Sequence, residues 1–164
     1  MWQRVLQIGR SVKAYIEPLV LSVESVSGVL NSDSRFTGYK SIDDNYATGW
    51  IPPNNRSSEQ YIVYKINGKA NVTKVKICVC TPSSDALTST YKVYLSDTNQ
   101  FGAEVASKQV TIGNAWNAQD MSKTFEIEIG DISANYIKIG VVTTAGLSNY
   151  VSGIGEFTAL GYTE

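Results

Sequence analysis

Residues able to carry chemistry are concentrated in one short stretch, Ser41-Ile42-Asp43-Asp44-Asn45-Tyr46-Ala47-Thr48-Gly49-Trp50. Two carboxylates, an amide, a hydroxyl and an indole at this spacing suit an oxygen-ligated loop folded back on an aromatic anchor. Little else points to catalysis. The remaining carboxylates are scattered, no Gly-rich phosphate loop follows a strand, and there is no nucleophile elbow. The chain has no His, so the usual general base near neutral pH is missing. Cys78 and Cys80 are its only cysteines. Two residues apart on one extended strand, they point the same way and cannot pair without distorting the backbone. With no His and no second Cys pair to complete a zinc set, they are expected to be buried free thiols. The expectation is a protein that is not an enzyme.

Two tryptophans have different settings. Trp50 directly follows the oxygen-rich loop and precedes Pro52-Pro53, a position for a core anchor. Trp116 lies in Gly113-Asn114-Ala115-Trp116-Asn117-Ala118-Gln119. In such a polar loop the indole either stacks on a sugar face, with amides bonding the hydroxyls, or folds back onto the domain.

At 164 residues, 43% hydrophobic and 18% charged, the chain suits a single domain able to bury a core without covalent staples. A net charge of -1 gives no footprint for nucleic acid or an anionic membrane. Arg4, Arg10, Lys13 and Glu17 interrupt the most apolar N-terminal region, so membrane insertion is not expected, and the same charges make a poor signal peptide.

The elements that must hold these residues are read from periodicity. Trp2, Val5, Leu6, Ile8, Val12, Tyr15, Ile16, Leu19 and Val20 recur every three or four positions, a helical period that Pro18 ends or kinks. Residues 1–22 are therefore read as a partly helical arm, either packed on its own domain or docked on a partner subunit. The rest, 23–164, changes to period two. Ile62, Tyr64 and Ile66 precede an Asn67-Gly68 turn, and Val75, Ile77 and Val79 follow it. Tyr91, Val93 and Leu95 mark another strand, as do Phe125, Ile127 and Ile129, and Ile137, Ile139 and Val141. A last strand spans about 153–162, and a weaker one about 105–112. Six or seven short strands separated by turn-forming clusters predict an all-β protein of two packed antiparallel sheets.

Five segments, in order, carry a resemblance. They are Asp43 to Trp50, Gln60-Tyr61-Ile62-Val63-Tyr64-Lys65-Ile66, Tyr91-Lys92-Val93-Tyr94-Leu95-Ser96-Asp97, Asn135-Tyr136-Ile137-Lys138-Ile139, and Ile154-Gly155-Glu156-Phe157-Thr158-Ala159-Leu160-Gly161. Together, over about residues 23–162, the chain resembles the discoidin or coagulation factor 5/8 C-terminal domain family. The resemblance implies a galactose-binding-like jelly-roll sandwich. It also implies a structural calcium ion held by Asp43, Thr48 and Glu156 side chains, with Asn45 and Ser41 as carbonyl donors. Asp44 stands where the family usually has Gly, and the alternative is a loop capped by its own hydrogen bonds. The family's recognition loops would fall at 35–40, 52–58 and 145–150, offering Arg35, Tyr39, Asn54, Arg56, Asn149 and Tyr150 beside Trp116. Galactose-binding relatives often pair a His with an Arg, and this chain lacks the His.

The function expected is a non-catalytic recognition or adhesion module for a glycan or cell-surface ligand. Its arm, centred on Trp2, Val5, Leu6 and Ile8, would join it to protein subunits of an oligomeric assembly. The layout matches a virion appendage such as a phage fibre or capsid decoration, displayed on the virion surface. The competing expectation is a purely structural subunit that binds no small ligand.

Overall fold

The computed structural model describes residues 15–81, 86–113, 123–146 and 149–163. Seven strands form one curled antiparallel sheet: β1 (Glu17–Pro18), β2 (Leu21–Val26), β3 (Gln60–Cys80), β4 (Leu87–Ser96), β5 (Ala106–Ile112), β6 (Thr124–Ala145) and β7 (Gly153–Thr163). The order is β1-β7-β3-β6-β4-β5, and β2 adds to β3. This is the expected antiparallel sandwich, made by two long strands that serve both layers. The first part of β3 lies between β2 and the end of β6, where Ile62 pairs with Ile139. Its second part lies between β7 and the start of β6, where Ile77 faces Phe157 on one side and Phe125 on the other.

The corner corrects the sequence reading. Asn67-Gly68 does not reverse the chain. Residues 66–69 bulge between the paired positions Lys65 and Ala70, and Gly68 takes φ +91°. Further along β3, opposite Thr73, Gly130 and Asp131 bend β6 with φ of +90° and +70°. The residue types of a tight turn also suit a bulge that turns a corner, because both need left-handed backbone. A second irregularity, between Val72 and Lys74, shifts the side-chain parity so that Val72 and then Val75, Ile77 and Val79 all point inward.

One continuous core fills the space between the layers. Ile62, Tyr64, Val75, Ile77, Tyr91, Val93, Ile137, Ile139 and Ala159 are all completely buried. Tyr64 crosses from the first layer to stack on Phe157 of the second, with centroids 4.2 Å apart and planes 6° from parallel. The Gly38–Ser41 3-10 turn packs against both β2 and β7. Ser41 is buried there, its hydroxyl donating to the Gly38 carbonyl at 2.7 Å and lying 2.8 Å from the Tyr64 hydroxyl.

The helical period does not continue through residues 15–22. Glu17–Pro18 pairs with Leu160 and Gly161, and Leu21 with Ile66. Leu19 is buried in the core and donates its N–H to Ala159. Pro18 is compatible with this because an edge strand needs no donor on its outer side. The sandwich therefore begins inside the segment read as an arm. Trp2, Val5, Leu6 and Ile8 lie outside the described residues.

Candidate functional site

Trp50 fixes the oxygen-rich loop to the sandwich. Its backbone exchanges two 2.8 Å hydrogen bonds with Ile154 of β7, its Nε1 donates to the Gly28 carbonyl at 2.9 Å, and its side chain is fully buried. Below it, Cys78 and Cys80 lie on the outer side of β3, covered by Leu30, Ile51 and Phe36. Neither cysteine is in a disulfide, and burial pushes the Cys80 thiol well up.

This anchoring brings four of the five expected ligand residues together, Asp43, Asn45, Thr48 and Glu156. Asp43 accepts from the Thr48 hydroxyl at 3.0 and 3.1 Å and from the Asn45 N–H at 3.1 Å. The Asn45 N–H is shared with Glu156 of β7 at 2.9 Å, and the Thr48 hydroxyl also lies 2.9 Å from the Asn45 carbonyl. Asp44 adopts φ +56°, so the left-handed turn survives without Gly. The Lys40 ammonium lies 3.1 Å from Asp43. Among the described residues Glu156 has no comparable cation. Burial, followed by the charges of Asp43 and Asp44, pushes its carboxyl up to about 7 against the help of the Asn45 N–H.

The donors fit calcium in kind, since two carboxylates, a hydroxyl and a carbonyl converge, and one of the two, Glu156, has no ion-pair partner among the described residues. In the geometry described, however, the loop is closed by its own hydrogen bonds. Among the described residues no three acidic, His or Cys side chains form a metal-holding group.

The candidate recognition residues separate into two places. Arg56 joins two loops at one end of the sandwich, donating from Nε to the Tyr150 carbonyl at 3.0 Å and from Nη1 to the Gly146 carbonyl at 3.3 Å. Its Nη2 is buried with no hydrogen-bond partner among the described residues. Asn54 and Asn149 on these loops are exposed, and Tyr150 is half-buried. Arg35 instead pairs with Asp33 at 2.6 Å and lines a cleft of about 240 Å³ with Phe36, Thr48 and Ile51. Tyr39, 55% exposed, sits on the turn closing the gap between β2 and β7, with the Lys40 ammonium 5.0 Å from its ring centre. Trp116 lies outside the described residues.

The sequence reading missed a polar cluster on the outer face of the first layer. Glu59 receives Lys138 at 2.9 Å and the Tyr94 hydroxyl at 2.8 Å, with Lys92 at 3.8 Å. Its carboxylate occupies the space above Gly140, where a Cβ would stand 2.5 to 2.9 Å away. No motif marks this cluster, because β-pairing across distant segments assembles it.

The model of the F5/8 type C domain matches residues 22–156. The chain belongs to this family. No curated protein matches it. Among solved structures it is similar to CBM32-3 from a family 31 glycoside hydrolase of Clostridium perfringens, at 18% identity and a TM-score of 0.66, covering 88% of this chain and 91% of that one. The family 32 carbohydrate-binding module of Clostridium perfringens NanJ, in complex with galactose, gives 17% identity and the same TM-score, covering 89% and 99%. A family 89 glycoside hydrolase from Clostridium perfringens, in complex with 2-acetamido-1,2-dideoxynojirmycin, gives 21% identity and a TM-score of 0.61. The chain covers 87% of itself but only 14% of that enzyme. At these identities the likeness establishes the shared fold.

Proposed function

We propose that the protein is a non-catalytic carbohydrate-binding module whose ligand meets the end of the sandwich where Arg56 joins the 54–58 segment to Gly146 and Tyr150. The observation that carries this reading is the Arg56 bridge, which holds two loops bearing exposed Asn54 and Asn149 in a fixed relation. Similarity to modules that bind sugars supports the ligand class. Trp116 is proposed as a stacking surface for the same ligand. Binding of the intact protein on a broad glycan array, lost in Arg56→Ala or Trp116→Ala variants that melt like the parent, is the expected result. A folded protein that retains no glycan would shift the assignment to a structural subunit.

Calcium is proposed for the oxygen-rich loop, held by the Asp43 and Glu156 carboxylates, the Thr48 hydroxyl and the Asn45 carbonyl. Its chemistry there would be structural, supplying Glu156 with the positive charge it lacks. Calcium should raise the melting temperature of the parent but not of Asp43→Ala. Equal melting of the parent in calcium and in chelator would remove the ion from the account.

Attachment of the N-terminal segment to a larger oligomeric assembly, such as a virion appendage, is also proposed. It is supported by the exposure of Tyr15, Ile16 and Val20, at 89%, 60% and 68%. Light scattering of the full chain and of a chain lacking residues 1–14 tests it. Loss of a higher-order species on deletion is expected, and an unchanged mass would demote the segment to packing.

A further inference from the structure

On the outer face of the second layer, a groove of about 440 Å³ runs between the oxygen-rich loop and the start of β6. Its lining includes Tyr46, Lys76, Thr124, Glu126 and Thr158, with Glu156 at the side shared with the loop. Strand register explains the gathering. Lys76 pairs with Glu126 on one side and Thr158 on the other, while Cys78 pairs with Thr124 and Glu156, so the outward side chains of β7, β3 and β6 meet in one band. Tyr46 rises beside this band from the loop and is 38% exposed.

Three features point to a ligand. The size lies within the range of about 300–1,000 Å³ typical of small-molecule clefts. Thr124 Oγ1 is buried without a hydrogen-bond partner among the described residues, and an unused hydroxyl in a polar cleft calls for one. The third is the mixture of an exposed aromatic ring with hydroxyl, carboxylate and ammonium groups, which serves the C–H face and the vicinal hydroxyls of a pyranose. The charge balance narrows the class. Glu126 is engaged by Lys74 at 2.7 Å and Lys76 at 3.1 Å, so both ammonium groups are already paired and neither is left to receive the carboxylate of a uronic or sialic acid.

We propose that this groove is a second saccharide site, distinct from the Arg56 loops, that takes a neutral sugar unit. Tyr46 stacks on the ring, Thr124 and Thr158 bond its hydroxyls, and the Lys76–Glu126 pair presents a donor and an acceptor to adjacent hydroxyls. The inference rests on the carbohydrate-binding reading and adds a second contact point, so that one chain could hold two units of a glycan or two glycans.

Amide-resolved NMR titration of the full chain tests it, with methyl galactoside, methyl mannoside, N-acetylglucosamine and lactose as neutral probes and glucuronate as the charged control. Saturable shifts at Tyr46, Thr124 and Thr158 with at least one neutral sugar are expected. Tyr46→Ala should weaken that response about ten-fold, and Thr158→Val should weaken it independently, while shifts around Arg56 and Tyr150 persist. Shifts confined to Arg56, Tyr150 and their neighbours would overturn the groove and leave the carbohydrate reading intact. No saturable shift anywhere would overturn both. A groove response that survives both substitutions, or that glucuronate matches, would overturn the assignment of residues or of sugar class.

Discussion

The two outer faces of the sandwich treat a carboxylate in opposite ways. On the first layer Glu59 is surrounded by Lys138, Lys92 and the Tyr94 hydroxyl, and burial beside that carboxylate pushes the Tyr94 hydroxyl up. On the second layer Glu156 faces Asp43 and Asp44, with one backbone N–H in support. The first arrangement is complete in itself and gains nothing from an added ion or ligand. The second crowds three carboxyl groups around the Lys40 ammonium, under a loop pinned by Trp50, and Glu156 meets that crowding by keeping its proton. A charge-satisfied cluster belongs to architecture, whereas an unsatisfied one marks where something from outside is useful.

The sharpest way to break this contrast is to remove what pins the second face. Trp50→Ala deletes a fully buried indole and its bond to Gly28, and should cost about 3–5 kcal/mol in chemical denaturation. A loss below 1 kcal/mol would mean that the loop is held by other means. On the first face, Glu59→Ala leaves Lys138 and Tyr94 without their acceptor and should cost about 1–2 kcal/mol, reduced from a buried pair's value by partial solvent access. Gly140→Val should produce a similar loss by displacing the Glu59 carboxylate, and the double variant should lose little more than either single.

Acidity separates the faces more finely. Glu156 holds its proton up to about 7 in the folded protein, against an ordinary value of 4.5. Between these values the native state binds the proton that the unfolded chain releases, so stability falls as pH rises through that window. In chelator, the parent should therefore lose stability from pH 4.5 to 7, and Glu156→Gln should flatten that part of the profile. A slope unchanged by the substitution would show that another group carries it. The smallest effect concerns the thiols beneath Trp50. Cys78 and Cys80 should resist a disulfide reagent at pH 8 in the native protein and react together on unfolding. Rapid native labelling would indicate that the cover of Leu30, Phe36 and Ile51 opens.

Much of this architecture was legible in the sequence. Alternation at Ile62, Tyr64 and Ile66 and at Val75, Ile77 and Val79 reports directly which side faces the core, and proline beside Trp50 marks a pinned loop. Asp43, Asn45 and Thr48 announced an oxygen-rich loop by their spacing, but the place of Glu156 beside them was readable only through the family resemblance, because it joins from β7, far along the chain. Asn67-Gly68 misled, since a hairpin and a corner bulge place the same demand on the backbone. The Glu59 cluster and the Tyr46 groove left no local signal, for their members meet only across β-register. Arg35 and Arg56 are alike in sequence setting, yet one is held by a neighbouring Asp33 and the other ties two distant loops.

The corner-turning strands have a kinetic consequence. Because β3 and β6 run through both layers and pair along most of their length, neither layer owns a complete set of strands. A folding chain cannot finish one sheet and dock the other. It must bring 60–80 and 124–145 together in register at both ends of the bend, a search over distant segments that puts refolding on the scale of about milliseconds to seconds. The same sharing makes loss of the sandwich a single event, with no half of it left to stand alone.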